Sequence, residues 1–243
     1  MAMSEPDRPH LPPLLRGRAV TGDVMRAAAR AGAAGEDPGL ICHELRPDRL
    51  RAAMLLAPEP PLGEALTVVL ALANGFADAF GVLSPSEIAF QLNWPAGFLV
   101  NGAACGGMRA MAPHADPAAG IDWLAVGIEV PIFAEADDEP GAAPDRTTLW
   151  DEGCADIDPM DLLEAWGRHG LVWINAWVDG ERARIHRDWT GRAPGLGQDG
   201  TVQVAGATHR GHFVGMDAEG ELILRQESGT RALPLTAMLE TGP

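Results

Sequence analysis

Three arginines in one short polar segment are the side chains that most clearly could do chemistry. Arg46, Arg49 and Arg51 lie within residues 43–51, between two apolar runs. A guanidinium presents five N–H donors in a fixed fork and binds carboxylates and phosphates through paired hydrogen bonds. The segment therefore predicts a loop that binds an anion. Surface ion pairs with neighbouring acidic residues are an equally good interpretation of the same pattern.

The basic residues are all arginines, because the 18 Lys and Arg positions include no lysine. Against 34 Asp and Glu residues they give a formal net charge of −16 at pH 7. A surface of this charge repels phosphate backbones and anionic headgroups, so we expect neither a nucleic-acid nor a membrane partner. The sequence also lacks the run of about 18 apolar residues that predicts a membrane span. The charge itself is explained most simply by solubility.

The three cysteines do not form a recognisable site. Cys42, Cys105 and Cys154 are odd in number and far apart, which argues against a disulfide framework and against a metal centre. This usage fits a reducing cytoplasm, and residues 1–13 lack the apolar core of a signal peptide. We expect no thiol nucleophile. Cys105 and Cys154 have no adjacent histidine, and Cys42 and His43 would face opposite sides of a strand.

Helices and strands must position these residues, and the spacing of apolar residues predicts both. Helical spacing predicts helices at 23–34, 61–80 and 158–166. Short apolar runs predict strands at 40–42, 52–57, 88–94, 98–100, 103–111 and 122–133. Asn101-Gly102 predicts a two-residue hairpin turn, since both residues tolerate positive φ. Residues 172–177 fit a helix or a strand equally.

The sequence changes in texture after Thr190. Glycine and proline are frequent up to residue 200, and four short alternating runs follow, separated by turns. These runs predict strands at 201–205, 211–216, 221–225 and 231–235. Several short strands in so little chain predict a small β-barrel of the SH3 type.

Taken in order, these elements resemble the biotin–protein ligase and lipoate ligase superfamily, over about residues 12–240. Residues 93–97 (Asn-Trp-Pro-Ala-Gly) look like the family's Lys-Trp-Pro-Asn-Asp signature, matching at Trp-Pro. Residues 101–108 look like the family's Gly-Arg-Lys-Leu-Ala-Gly-Ile segment, and the catalytic lysine of that segment falls at Ala104.

Further segments carry the same resemblance. Residues 126–130 look like a Gly-Ile-Asn-Val strand, with Glu129 in place of the asparagine. Residues 147–153 look like the Thr-Ser-Leu…Glu-Gly stretch that follows it, and residues 215–224 look like the ligases' C-terminal domain. The resemblance implies an α+β fold in which helices pack on a mixed β-sheet, followed by the small barrel.

The resemblance also implies a domain division and a reaction. The catalytic domain would span residues 1–192, and the SH3-like domain would span residues 193–243. In this superfamily the carboxylate of biotin attacks the α-phosphate of ATP, and a lysine of a carrier-protein domain then attacks the acyl adenylate. The implied ligands are biotin, lipoate or a similar carboxylic acid, with ATP and Mg. The implied protein partner is the carrier domain.

Several residues that the family uses are altered in this chain. Ala104 supplies no charge, and the arginine segment lacks the glycines that would let backbone N–H groups approach a phosphate. The family's Ser-Thr-Asn motif is reduced to Val-Thr-Gly at 20–22. Arg109 lies five positions after Ala104, so it should face the other side of the sheet unless a bulge at 106–107 reverses it. Their joint alteration predicts impaired or changed adenylation and transfer.

The resemblance implies a set of ligand contacts, several of which have a structural alternative. Trp94 would pack on a ligand ring or in the core, and Gly107 would approach a ligand or a neighbouring strand. Glu129 would hold a metal ion or face solvent. The candidate contacts are Thr21, Arg46, Arg49, Arg51, Trp94, Gly107 and Glu129.

Two rival functions fit the same sequence. The first is an active ligase or acyltransferase in which arginine replaces the lysine, with Arg109 or a residue of 43–51 supplying the charge. The second is a non-catalytic interaction module, in which the barrel and the acidic surface contact a partner protein.

Overall fold

The computed structural model describes residues 8–134, 145–204 and 206–241. The strands in that part of the chain are β1 (Arg16–Ala19), β2 (Leu40–Arg46), β3 (Arg49–Leu56), β4 (Phe90–Asn93), β5 (Gly97–Val100), β6 (Ala103–Ala112), β7 (Leu124–Pro131), β8 (Asp199–Val204), β9 (Ala207–Met216), β10 (Leu222–Gln226), β11 (Gly229–Leu233) and β12 (Leu239–Thr241). The helices are α1 (Val24–Ala33), α2 (Leu62–Ala65), α3 (Val68–Leu83), α4 (Pro159–Val178) and α5 (Arg182–Gly191).

One large mixed sheet forms the body of the protein. Its strand order is β1-β2-β3-β7-β6-β5-β4, and β12 lies beside β6 beyond the end of β5. The pairs β1–β2 and β12–β6 are parallel, and the other pairs in this sheet are antiparallel. Helices pack on both faces of the sheet, so the predicted α+β fold is confirmed.

Alternation along β2 and β3 divides their side chains between two apolar layers. Leu40, Cys42 and Ala53 pack with helix α1 on one face of the sheet. Ile41 and Met54 pack with helices α3 and α4 on the other face. We call the first of these the α1 face, and it carries the candidate site.

A second, small sheet follows α5. Strands β8, β9, β10 and β11 pair in sequence order as an antiparallel sheet. Gly220, in one of its turns, accepts a hydrogen bond from the indole of Trp94 (Nε1 to O, 2.9 Å), which joins the small sheet to the large one. The sheet lies where the sequence predicts short strands, except that residue 205 is outside the described residues. Its closure into an SH3-like barrel stays a prediction.

The arginine segment is not a loop, which corrects the sequence prediction. Residues 43–51 form the end of β2, a two-residue turn and the start of β3. Arg46, Arg49 and Arg51 are therefore strand residues, and Glu44 stands directly opposite Arg51. The polar character that suggests a loop comes from the exposed end of a β-hairpin.

The helices differ from the prediction in four places, the first being a break at residues 66–67 that divides the helix predicted at 61–80 into α2 and α3. Residues 172–177, which fit a helix or a strand, belong to α4. Helix α5 is absent from the prediction, because its composition is polar and its buried side chains are a single i, i+4 pair, Ile185 and Trp189. Gly81 does not end the long helix, which continues to Leu83.

The most apolar helical stretch spans α2 and α3 and lies in the core. Residues Leu62–Leu83 have the length and mean hydropathy (1.8) of a membrane span, but 78% of the most apolar window is buried inside the protein. Asn74, a polar residue near its centre, donates to Ile185 O and accepts from Arg192, both at 3.0 Å. A core helix with a satisfied polar residue accounts for this composition.

Gly75 allows α3 to pack closely against α4. A Cβ at Gly75 would lie 2.7 Å from the Cα of Gly170, which is closer than side chains approach backbone. At Gly81, on the same helix, a Cβ would have no atom of the described residues within 4 Å outside its own helix. The first position is therefore closed to a methyl group and the second is open.

We expect opposite effects of alanine at these two glycines. Gly75→Ala should lower the free energy of unfolding by about 1–3 kcal/mol through overpacking. Gly81→Ala should raise it by about 0.5–1 kcal/mol, because alanine is the better helix former. Urea unfolding followed by circular dichroism measures both changes. Equal changes for the two variants would contradict the close approach of α3 and α4.

Candidate functional site

A cavity of about 320 Å³ opens on the α1 face of the large sheet. Its walls include the start of α1 (residues 22–25) and the side chains of Arg51, Arg109 and Glu129. These three residues lie on β3, β6 and β7, which are neighbours in the sheet, so their charged groups converge. Cavities that bind small molecules commonly measure about 300–1,000 Å³, and this one is at the lower end of that range.

A row of alternating charges crosses the sheet at this cavity. Glu44, Arg51 and Glu129 are direct cross-strand partners on β2, β3 and β7. Arg51 reaches Glu129 Oε1 through Nε at 3.0 Å and Nη2 at 2.9 Å, and its Nη1 lies 3.4 Å from Glu44. Arg49 joins the row, with Nη1 3.8 Å from Glu129 and Nε 3.1 Å from Asp48. These guanidinium groups are therefore paired with carboxylates of the same protein.

A bulge in β6 turns Arg109 toward the cavity. Cys105 and Met108 both pack in the core on the opposite face, although they are three positions apart. The pairing of β5 with β6 shifts by one residue at the same place, and Gly106 has a φ of +86°. The bulge that the sequence analysis allowed is present, and it reverses the alternation of side chains. Arg109 consequently shares the α1 face with Ala104.

Arg109 is held by a carboxylate from a distant part of the chain. Its Nε and Nη2 each donate to Glu240 of β12 at 2.7 Å, which makes a bidentate pair. These hydrogen bonds raise the pKa of Arg109 and outweigh the effect of burial, which lowers it. Nothing in the sequence marks Glu240 as a partner of Arg109. The two residues are 131 positions apart, and β12 lies outside every predicted strand.

The start of α1 brings a carboxylate to the cavity together with N–H groups that are already bonded. Asp23 caps the helix by accepting from the N–H groups of two helix residues, at 2.9 and 3.1 Å. The N–H of Gly22 donates to Glu44 Oε1 at 3.2 Å. Thr21, the predicted ligand contact in this region, is exposed beside the cavity wall. An anionic ligand would therefore compete with Asp23 and Glu44 for these donors.

The carboxylates around the cavity do not fit a Mg²⁺ site. In nucleotide sites Mg²⁺ is held by one or two carboxylates together with phosphate oxygens and water. Asp23 accepts from helix N–H groups, Glu44 from Gly22 and Arg51, and Glu129 from Arg51. Within residues 8–134, 145–204 and 206–241, no group of three His, Cys, Asp or Glu side chains is placed to hold a metal ion. No metal-assisted step is assigned to these residues.

Ala104 lies where two of the family-like segments meet. Its N–H donates to Asp145 O at 2.8 Å, and its carbonyl accepts from Thr147 N at 2.9 Å. The hydroxyl of Thr147 donates to Glu152 at 2.6 Å, and Asn101 donates to the other oxygen of Glu152 at 2.7 Å. Segments 101–108 and 147–153 are therefore in contact, as parts of one site would be.

Five of the seven predicted ligand contacts lie outside the cavity wall: Thr21 and Arg49, which adjoin residues of the wall, and three others. Trp94 is 5% exposed and packs in the core on the opposite face. Arg46 is exposed, binds Asp48 at 3.0 Å and borders a second cavity of about 530 Å³ near the start of α4. Gly107 lies against β5, since a Cβ there would be 2.8 Å from the carbonyl oxygen of Ala96. Their roles as ligand contacts stay predictions.

The three cysteines are buried. Cys105 is 1% exposed, and burial raises its pKa to about 12. Burial also raises the pKa of Cys42 and of Cys154. A raised pKa lowers the fraction of thiolate, so at pH 8 a thiol with a pKa of about 12 is ionised to roughly one part in 10⁴.

We expect no fast reaction of the native protein with a soluble aromatic disulfide reagent at pH 8. All three cysteines should react after unfolding in guanidinium chloride, and free glutathione at the same pH is the control for the reagent. The released thiolate absorbance gives the number of reactive cysteines. Rapid labelling of one cysteine in the folded protein would contradict this expectation and would support a nucleophilic role.

Two comparisons with known sequences both match ligases. A family model described as the biotin/lipoate A/B protein ligase family matches residues 11–191. A biotin–[acetyl-CoA-carboxylase] ligase of Paracoccus denitrificans is 30% identical over 172 residues, which cover 70% of this chain and 70% of that protein.

Solved structures extend the likeness to the C-terminal part of the chain. A biotin protein ligase-like protein of unknown function from Silicibacter sp. TM1040 has a TM-score of 0.88 and 41% identity, covering 96% of this chain and 99% of that one. The biotin protein ligase of Aquifex aeolicus, solved in complex with biotin and ATP, has a TM-score of 0.67 and 18% identity, covering 92% and 95%. The second likeness concerns the fold alone.

Proposed function

This chain belongs to the biotin/lipoate A/B protein ligase family, and from that premise we propose that it binds biotin or a related small carboxylic acid in the cavity on the α1 face. We further infer that ATP-dependent adenylation and transfer to a carrier-protein lysine are impaired or altered. The observation that carries this proposal is the pairing of both cavity arginines, Arg51 and Arg109, with carboxylates of the same protein.

The composition of the cavity wall supports an acid ligand. Val24 and Met25 contribute apolar surface, and the two arginines contribute guanidinium groups. An acid with an apolar body and one carboxylate would match walls of both kinds. The Paracoccus denitrificans relative is a biotin–[acetyl-CoA-carboxylase] ligase, and the Aquifex aeolicus ligase was solved with biotin, which favours biotin among such acids.

Electrostatics supports the impaired adenylation. This step brings together two anions, the carboxylate of the acid and the triphosphate of ATP, so fixed cations or N–H donors must offset their repulsion in the transition state. Loss of one such donor typically costs about 100- to 1000-fold in rate. Ala104 supplies no side-chain donor, and the charges of Arg51 and Arg109 are already offset by Glu129 and Glu240. Either arginine must break an existing ion pair before it can act on ATP.

An active ligase or acyltransferase is the second candidate, with Arg109 in the place of the lysine. The bulge in β6 favours it, because Arg109 lies on the same face as Ala104. The bidentate pair with Glu240 weighs against it, because the guanidinium is engaged before any substrate binds. We therefore keep impaired adenylation as the first candidate.

Several finer assignments belong to the same proposal. We propose a carrier-protein domain as the partner if transfer survives, and a cytoplasmic location for the protein. We also propose a catalytic domain at 1–192 and a C-terminal SH3-like domain at 193–243. The four-stranded antiparallel sheet supports the second domain, and β12 adds a strand from it to the large sheet.

Calorimetric titration with biotin, lipoate, octanoate and ATP tests the binding. We expect saturable heat with at least one acid. We expect pyrophosphate release to be at least about 100-fold slower than that of an ordinary ligase when ATP and that acid are mixed, because the cavity arginines are neutralised. Arg46→Ala, outside the cavity, should change neither result. The Aquifex aeolicus ligase is the positive control for pyrophosphate release.

Two outcomes would contradict the proposal in different ways. Charging of a carrier domain at the rate of the control ligase would remove the claim of impaired adenylation. Failure to bind any acid would remove the claim of an acid-binding cavity, and it would favour the non-catalytic interaction module.

A lysine placed at position 104 should raise the rate of adenylation. Ala104→Lys puts an ammonium on the α1 face of β6, and we expect pyrophosphate release to rise by about tenfold or more, part of what one such donor typically supplies. The matched control is Gln91→Lys, which adds the same charge to the same face two strands further from the cavity. Equal rates for the two variants would contradict the electrostatic explanation.

A further inference from the structure

The pair between Arg109 and Glu240 has the geometry of a ligand carboxylate bound by an arginine. Both carboxylate oxygens of Glu240 accept from Arg109, each at 2.7 Å. This fork is how arginine recognises carboxylates in binding sites. Arg109 also forms part of the cavity wall. The cavity therefore borders an arginine that already holds a carboxylate, and that carboxylate belongs to the protein itself.

The strand that carries Glu240 is held at fewer places than the strand that carries Glu129, a carboxylate of the cavity wall. Glu129 lies on β7 between two neighbouring strands and contacts both Arg51 and Arg49. Glu240 lies on a three-residue strand that pairs, among the described strands, with β6 alone. The side chain of Glu240 is 39% exposed, as is that of Glu129, so it can turn into water when the contact is lost.

We propose that Arg109 is the carboxylate-binding group of the cavity, and that Glu240 is an internal carboxylate that competes with the acid ligand for it. The inference rests on the proposed function, since it requires that the cavity bind an acid. To the proposed function it adds the residue that recognises the acid, Arg109. It also adds the Arg109–Glu240 contact, which weakens binding because the acid must displace Glu240.

The exchange of one carboxylate for another keeps the charges paired. When an acid enters, its two oxygens take the place of the two oxygens of Glu240, and Arg109, which is half-buried, stays paired with a carboxylate. The released carboxylate moves to solvent, where its charge is stabilised by water. A neutral amide of the same acid cannot make this exchange, because it offers one acceptor oxygen and no charge.

The experiment is calorimetric titration of biotin and octanoate, with their primary amides as neutral probes. We expect Glu240→Gln to tighten binding of the acids by about tenfold, or about 1.4 kcal/mol, and to leave the amides unchanged. We expect Arg109→Gln to weaken binding of the acids by about tenfold or more. The matched control is Glu36→Gln, because Glu36 makes the same bidentate contact with Arg18 at 2.6 and 2.9 Å, away from the cavity wall.

Glu240→Asp is a second variant that keeps the charge but shortens the side chain by one methylene. It should tighten acid binding by a smaller factor than Glu240→Gln, and thermal unfolding of each variant shows whether it is folded. Weaker acid binding by both Glu240 variants would overturn the inference, because Glu240 would then support the site rather than compete for it.

The failure of this inference can be told apart from the failure of the proposed function. If the wild type and every variant bind no acid, the proposed function fails and the inference fails with it. If the acids bind with the same affinity to the wild type, Glu240→Gln and Arg109→Gln, the cavity binds acids and only the competition by Glu240 is excluded. An equal gain for amides and acids would also exclude it.

Discussion

Pairing between guanidinium and carboxylate groups on the α1 face is the interaction on which the chemistry of this protein depends. Arg51 lies between Glu44 and Glu129 across three adjacent strands, and Glu240 binds Arg109 through both oxygens. Partly exposed pairs of this kind contribute only about 0–1 kcal/mol each to folding, so they do not hold the sheet together. Their effect is to neutralise the cations that line the cavity.

The fold itself depends on the two apolar layers. Helix α1 covers one face of the sheet, and α3 and α4 cover the other with the larger core. The positions at which this chain departs from the family, such as Ala104, Glu129 and residues 20–22, lie outside helices α1 and α3. A scaffold can therefore keep its packing while the charges on one face change, because the fold and the chemistry of a site rest on different residues.

Local signals made much of the fold predictable. The Asp23 cap, the Asn101-Gly102 turn and the apolar runs each specify structure within a few residues, and the structure has all three features. Prediction was less successful where contacts between distant parts of the sequence determine the structure. The hairpin at 43–51 is rich in polar residues and is exposed at its tip, residues 46–47, so its sequence resembles that of a loop.

The candidate site was predictable only in part, for the same reason. Arg51 and Glu129 are recognisable from their segments, and the structure places both at the cavity. The carboxylates that neutralise the arginines are not recognisable, because cross-strand register and the return of β12 decide which residues meet. A separation of 131 positions between Arg109 and Glu240 leaves no periodicity that a sequence could display.

The bulge at Gly106 ties the direction of later side chains to the presence of one glycine. A Cβ at this residue would collide with the carbonyl oxygen of Glu129, and its φ of +86° is one that other residues rarely adopt. If the bulge were flattened with every residue kept, the side chains after it would exchange faces, so that Arg109 would point among the apolar side chains of the core. Over evolution we therefore expect this position to remain glycine for as long as the bulge is kept.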